Sequence, residues 1–312
     1  MKYIEDFKED ERILGHYLCK QKQTLKSKSG KSYYSLKLQD RTGIIEAKVW
    51  DLNHDIQNFE AQDVIKIDGT ALMYQNNLQL KVVKIRKSQE GEYIEADYIP
   101  TTDKNVEVLM SQIEDFITSV KDMYLKTLLE NIFIKDAAIS KSIKSHSAAK
   151  TLHHAYMGGL IEHVVAVTGI CDYLSTRYKF INRDLLIAGS LLHDIGKLIE
   201  LSPFPANDYT DQGELLGHIV IGVEMVNDHA RQIPDFPEET LYLLKHLIVS
   251  HHGELEFGSP QKPKTIEAMV LHSADSTDSK IKMFEESFSK ADDKSLWVGY
   301  HNLLQRNMRK TN

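Results

Sequence analysis

The sequence predicts an α+β chain of two domains, a small five-stranded β-barrel followed by an all-α domain. Three observations carry this expectation. The first ninety residues alternate or are rich in β-branched and aromatic residues, with turn signals at short intervals. From Asp103 onward the apolar period becomes helical. Histidine is concentrated, eleven of fourteen lying between His146 and His272, which asks for a chemical explanation.

The strand candidates are Ile13–Lys20, Ser32–Gln39, Ile44–Trp50, Val64–Met73 and Leu78–Arg86. Turn signals separate them at Lys28-Ser29-Gly30-Lys31, Asp40-Arg41-Thr42-Gly43 and Tyr74-Gln75-Asn76-Asn77. A helical or irregular piece, Asn53–Phe59, interrupts the run after the third strand. Five strands with that interruption fit a closed barrel of OB type over residues 1–90, with an SH3-like barrel or open sheet as rival. Residues 91–102 read as a linker, with Thr102 or Asp103 as the first N-cap. In residues 103–312, Val106, Leu109, Met110, Ile113, Phe116, Ile117 and Val120 form one apolar helical stripe. Further helices are expected near Lys121–Phe133, Gly159–Tyr178, Arg183–His193, Leu215–Arg231, Glu238–Ser250 and Lys264–Phe284.

Composition excludes several classes. Apolar residues make up 42% and charged residues 27%, which rules out wholesale disorder. No apolar run approaches the roughly 20 residues that span a bilayer, so no membrane role is expected. The first residues, Met1 to Asp6, carry acids and lack an apolar signal region, so a cytoplasmic location is expected. Cys19 and Cys171 are too few for a disulfide framework or a four-thiolate zinc site. The net charge of −7 is uneven, +4 through Ser88 and −11 beyond it, a mild sign of an arm that meets a polyanion.

The chemistry centres on Leu191-Leu192-His193-Asp194-Ile195-Gly196-Lys197. Gly196 suits a helix C-terminus with positive φ. The adjacent imidazole and carboxylate offer nitrogen and oxygen donors suited to Zn, Mn, Fe or Ni. Other ionisable residues stand in apolar sequence: His163, His218, the pair His251 and His252, and Asp275. Each one alone reads as a hydrogen-bonded core residue or a helix cap. Burying all of these without partners would cost several kcal/mol apiece, and a shared metal centre compensates them together.

The order His163, His193-Asp194, His218, His251-His252, Asp275 resembles the HD-domain metal-dependent phosphohydrolases over roughly residues 149–278. The resemblance implies that His163, His193, Asp194 and Asp275 hold one divalent metal. It implies that His218 and one or both of His251 and His252, bridged by Asp194, hold a second. Two cations roughly 3.5–4 Å apart can activate a water and stabilise the oxygens of a phosphodiester. Lys197 is then a candidate for charge toward phosphate, or a solvated surface lysine. The neighbours His153 and His154 are candidates for contacting phosphate or protonating a leaving oxygen, or they cap a helix. His272 and His246 read as supporting or core residues, and Cys171 as a small apolar one.

Single-strand binders pair a basic groove with stacking aromatics. Lys20, Lys22, Lys26, Lys28 and Lys31 crowd the first hairpin, and Tyr33, Tyr34, Trp50 and Tyr74 lie on or beside strands. Trp50 and one of the two tyrosines could instead fill the barrel. Strand alternation turns Tyr33 and Tyr34 to opposite sides. With the two domains together, the stretches Tyr33–Gly43 and His153–His163 resemble the YhaM family of 3′→5′ exoribonucleases. That resemblance implies hydrolysis of single-stranded RNA to nucleoside 5′-monophosphates; nothing in the sequence identifies a 2′-hydroxyl sensor, so single-stranded DNA is a further expected substrate. It also implies manganese as the preferred ion over Fe, Mg, Zn, Ni or Co, and a homo-oligomer. The rivals are a phosphohydrolase of a small signalling nucleotide and a DNA-binding factor with a structural metal.

Overall fold

The structure is a computed structural model and describes residues 2–75, 77–94, 97–150, 154–291 and 295–311. It divides into two compact units, one comprising Met1–Thr101 and Phe204–Ala206, the other Thr102–Pro203 and Asn207–Asn312.

In the first unit, β1 (Arg12–Lys26), β2 (Ser32–Asp40), β3 (Gly43–Val49), β4 (Val64–Tyr74) and β5 (Asn77–Lys87) form a closed barrel. Their order is β1-β2-β3-β5-β4, and β1 pairs back onto β4. Closure depends on the length of β1. Its first half, Arg12 to Leu18, pairs with β4, and Leu18 to Lys26 pair with β2. A register shift between Cys19 and Gln21 bends it from one neighbour to the other. Alternate residues fill the interior: Leu36 and Leu38, Ile45, Ala47 and Val49, Ile65 and Ile67, Leu80 and Val82. Cys19 is buried among them, and burial pushes its thiol up to about 12.

Of the two alternatives for Asn53–Phe59 the irregular one is found, with Ile56 bridging to Ile85 and Phe59 buried in the barrel core. One detail departs from expectation. The stretch 91–102 is not a free linker throughout. Tyr98 and Ile99 are buried, Gln39 Nε2 donates to the Tyr98 carbonyl at 3.1 Å, and the Arg41 amide donates to Asp97 O at 2.9 Å. The segment lacks any period, so its docking left no pattern to read.

The second unit contains α1 (Val106–Ser119), α2 (Met123–Glu130), α3 (Ala137–Ile143), α4 (Gly159–Ser175), α5 (Arg183–Leu192), α6 (Lys197–Glu200), α7 (Asp211–Arg231), α8 (Glu238–Ser250) and α9 (Ile266–Lys290). The cap of α1 is Asn105, not Thr102 or Asp103: its side chain accepts from the Glu107 and Val108 amides. A five-residue π segment, Asn131–Lys135, continues α2. Helix α5 is buried on every side from Leu185 to Leu192 and packs on α4, α8 and α9. An element buried all round reads as an apolar run without a polar face, as this one does. The unit is not wholly α. After α9 a hairpin of β6 (Trp297–His301) and β7 (Arg306–Arg309) follows the helices. None of the helices among the described residues is long and apolar enough to cross a membrane.

The glycine at 196 serves a purpose other than the one expected. Its φ of −64° is ordinary right-handed backbone, and it caps the N-terminus of α6. A Cβ there would lie 2.0 Å from the His218 carbonyl oxygen and 2.7 Å from the Gly222 nitrogen. The glycine lets the His193-Asp194 turn press directly onto α7. Gly196→Ala should therefore destabilise the protein by about 1–3 kcal/mol, measured by urea unfolding, by driving α7 away from the turn. An unchanged midpoint would show that the contact yields freely.

Candidate metal centre and nucleic-acid interface

Five helices of the second unit deliver the ionisable residues to one buried point. His163 sits in the first turns of α4, and His193 and Asp194 follow the end of α5. His218 follows a break in α7 at Gly217, whose φ of 70° and ψ of 158° interrupt the helix and reset the direction of the chain. His251 and His252 follow the last turn of α8, and Asp275 lies within α9. His163, His193, Asp194 and His251 are each 2% exposed or less.

The histidines share one device. The Nδ1–H of His193 donates to Ser190 O at 2.8 Å, that of His251 to Ile248 O at 2.6 Å, and that of His252 to Phe257 O at 2.9 Å. Carbonyl oxygens only accept, so these rings carry the Nδ1 proton and turn Nε2 lone pairs the other way. In His163 the acceptor is Asp278 Oδ2 at 2.7 Å, and in His218 it is Glu200 Oε1 at 3.0 Å.

Asp194 stands between two groups. Its Oδ2 lies 3.5 Å from His163 Nε2 and 3.4 Å from His193 Nε2, and Asp275 Oδ1 is 3.3 Å from His163 Nε2. Its Oδ1 lies 3.6 Å from His218 Nε2 and 3.7 Å from His251 Nε2. Donor atoms of His163, His193 and Asp275 lie within 4.8 Å of one another, as do those of His218, His251 and His252. Among the described residues, Asp194 Oδ1, His218 Nε2 and His251 Nε2 are buried without a hydrogen-bond partner. Orphaned buried atoms are costly, and these three face one another. Three atoms with free lone pairs around one point are the donor set of a cation site, so the residues fit divalent metal.

The two groups differ electrostatically. Burial opposes the charge on His163, but Asp275 and Asp278 outweigh it and raise the pKa to about 9. Burial lowers His251 well below the ordinary range, and His252 and His193 add to it. Burial would raise the Asp194 carboxyl, yet Lys197 and His193 hold it well below the usual carboxylate range.

Lys197 is 2.7 Å from Asp194 Oδ2 and largely buried, so it is not a solvated surface lysine. His154 is a correction. It is 1% exposed, with Nε2 at 3.1 Å from Asp278 Oδ2 and Nδ1 at 3.0 Å from the Tyr156 hydroxyl. Both ring nitrogens are committed inside the protein, which leaves neither to meet a substrate oxygen. His153 lies outside the described residues. His272 Nδ1 is hydrogen-bonded to His251 O, and His246 Nε2 accepts from the Lys264 amide, both supporting contacts. The sequence reading missed Glu200, Asp278 and Glu162. Asp278 sits one turn beyond Asp275 on the same helix, which is the signal that could have found it. Glu162 accepts from the Thr102 and Tyr156 hydroxyls and pairs with Lys104 and Lys282. Burial is outweighed there by the Thr102 bond and the lysines, and its pKa falls to about 2.

On the barrel, Tyr33 and Trp50 stack with ring centroids 4.5 Å apart and planes at 27°, and Trp50 is 43% exposed. Tyr34 turns inward against Phe59. Lys22 is corrected with it, because its ammonium sits 4.5 Å from the Phe59 ring centroid and its side chain is only 14% exposed. Lys26, Lys28 and Tyr74 are exposed, Lys20 is half-buried, and Lys31 pairs with Asp51. The sequence reading also missed Lys48 and Lys81. They are Cα partners across β3 and β5; Lys81 is exposed, while the Lys48 side chain is 18% exposed and donates to Ser35 Oγ at 2.7 Å.

The OB-fold nucleic acid binding domain model matches residues 20–87, and the HD domain model matches residues 160–280. The chain is 34% identical over 264 residues to the 3′-5′ exoribonuclease YhaM of Geobacillus sp. (strain WCH70), covering 84% of this chain and 80% of that protein. Among solved structures it is similar to the second OB-fold domain of replication protein A from Methanococcus maripaludis. That match has 19% identity and a TM-score of 0.24, over 29% of this chain and 96% of that one. It is also similar to the OB domain of Ta0387 from Thermoplasma acidophilum, with 19% identity and a TM-score of 0.23, over 30% and 91% of the two chains.

Proposed function

The chain belongs to the YhaM family of 3′-5′ exoribonucleases, and from that premise we propose that it degrades single-stranded RNA from the 3′ end to nucleoside 5′-monophosphates, using two divalent ions. The observation that carries the two-ion reading is the division of Asp194, with Oδ2 toward His163 and His193 and Oδ1 toward His218 and His251. His163, His193, Asp194 and Asp275 would hold one ion, and Asp194, His218, His251 and His252 the other. When bound, such a pair supplies an activated water and positive charge for the developing phosphorane oxygens.

The chain's own residues do the rest. The Nδ1–H bonds fix every imidazole with Nε2 toward the centre, so the donor set needs little reorganisation as ions bind. Lys197 keeps a positive charge against Asp194, which would favour a phosphate bound at the same centre. The burial of the aspartate and histidines excludes bulk water, which strengthens every charge interaction there. The barrel's Tyr33–Trp50 pair offers a stacking surface, with the exposed Lys81 for the backbone. Manganese as the resident ion, single-stranded DNA as a second substrate, a cytoplasmic location and a homo-oligomer belong to the same reading.

The test is a 5′-labelled single-stranded oligoribonucleotide, incubated with manganese and with chelator. A ladder that shortens from the 3′ end only with metal supports the reading. A gel shift without cleavage would favour a DNA- or RNA-binding factor, and neither result would favour a small-nucleotide substrate.

The barrel's part has its own test. Trp50→Ala should weaken binding by about 1–3 kcal/mol if one base stacks there. Each lysine contact to single-stranded phosphate adds about 0.7 to the slope of log affinity against log salt. Replacing Lys26, Lys28 and Lys81 together should flatten that slope by about 2 units. An unchanged slope would remove this face from the RNA path.

A further inference from the structure

We propose that Asp278 and Glu200 are positioning residues, each holding one half of the centre ready for its own ion. The proposal rests on the two-ion reading above. Of the five histidines, three are oriented by backbone carbonyls at helix ends, which no side-chain change would remove. Only His163 and His218 depend on a carboxylate, and there is one such histidine in each half.

Each carboxylate is fixed by a second bond. Glu200 Oε1 also accepts the backbone N–H of His218 at 2.9 Å, the amide set free by the break at Gly217. One oxygen therefore holds both the ring and the chain that carries it. Asp278 Oδ2 is shared by His163 Nδ1 at 2.7 Å and His154 Nε2 at 3.1 Å. His154 is held in turn by the Tyr156 hydroxyl, which donates to Glu162. His154 keeps a left-handed φ of 58°, a conformation a non-glycine residue retains only where its surroundings enforce it. The geometry thus gives His154 a place behind Asp278.

A carboxylate on Nδ1–H fixes the tautomer and raises the basicity of Nε2, and losing such a partner typically weakens metal affinity by about 10–100-fold. Because Asp278 and Glu200 touch different histidines, the two losses fall on different ions. The test is manganese binding to the full-length protein by calorimetry, with folding checked by near-ultraviolet circular dichroism. The wild-type chain should bind two ions. Asp278→Ala and Glu200→Ala should each weaken one ion by about 10–100-fold and leave the other within about twofold.

A His218→Ala background, which retains the His163 half, assigns the halves. There Asp278→Ala should weaken the remaining ion, and Glu200→Ala should not. Asp278→Asn and Glu200→Gln keep an amide oxygen in place. They should recover part of the loss at the same ion, and they carry the test if an alanine variant does not fold. Two ions in the wild type with both variants weakening the same ion, or neither ion, would overturn the proposal alone. A wild-type chain that binds one ion would overturn the two-ion reading and this proposal with it.

Discussion

Asp194→Ala should reduce hydrolysis of single-stranded RNA by about 10³-fold or more while oligonucleotide binding persists. Asp194 is the residue whose two oxygens reach both groups of histidines. On the two-ion reading, removing it would take a ligand from both ions together, and it would leave Lys197 buried beside unpaired imidazoles. Breaking a buried ion pair on one side costs about 3–5 kcal/mol, so stability must be measured beside activity. Asp194→Asn keeps the size and one oxygen acceptor, and serves as the folded control. Binding should survive because the barrel's aromatic and basic face shares no residue with the metal centre. Gel analysis of initial rates, with circular dichroism on the same samples, checks both parts. Substantial turnover by a folded Asp194→Ala protein would contradict the assignment.

His218→Ala should lower the metal content from about two ions per chain to about one and remove most of the activity. His218 Nε2 and His251 Nε2 face Asp194 Oδ1 in that half, with His252 grouped beside them, and His218 Nε2 is one of the orphaned atoms that ask for a cation. The other half keeps His163, His193, Asp194 and Asp275, a complete mononuclear set. Mass spectrometric metal analysis of purified protein reads the difference. An unchanged content after replacing His218, His251 and His252 together would mean a mononuclear centre and would favour a small-nucleotide substrate.

The barrel was legible in the sequence because period two and turn chemistry act locally. Ser32–Gln39 differs from the observed strand by one residue, and Val64–Met73 likewise. The far half of β1 escaped because the bulge after Cys19 breaks the alternation that marks a strand. Helices α3 and α6 have seven and four residues, too short for a helical period to emerge. The clustering of His163, His193, Asp194, His218, His251, His252 and Asp275 was legible because polar residues in apolar runs need a reason. Their supports were not, since Glu200 and Asp278 acquire meaning only when α6 meets α7 and α9 meets α4. Gly196 teaches the same lesson. Its position at the end of a helix suggested a cap, whereas the actual constraint is the backbone of a segment more than twenty residues away. Lys22 was assigned to a surface by type alone and Phe59 draws it inward, whereas alternation had already sent Tyr33 and Tyr34 to opposite sides, and Tyr34 is the one that packs on Phe59.

The central claim is that one aspartate joins two ions in the helical unit, and anomalous diffraction from crystals grown with manganese tests it most directly. The account predicts two peaks roughly 3.5–4 Å apart, one on each side of the Asp194 carboxylate. The first should be bounded by His163, His193 and Asp275, and the second by His218, His251 and His252. A single peak, or two peaks that do not share Asp194, would contradict it.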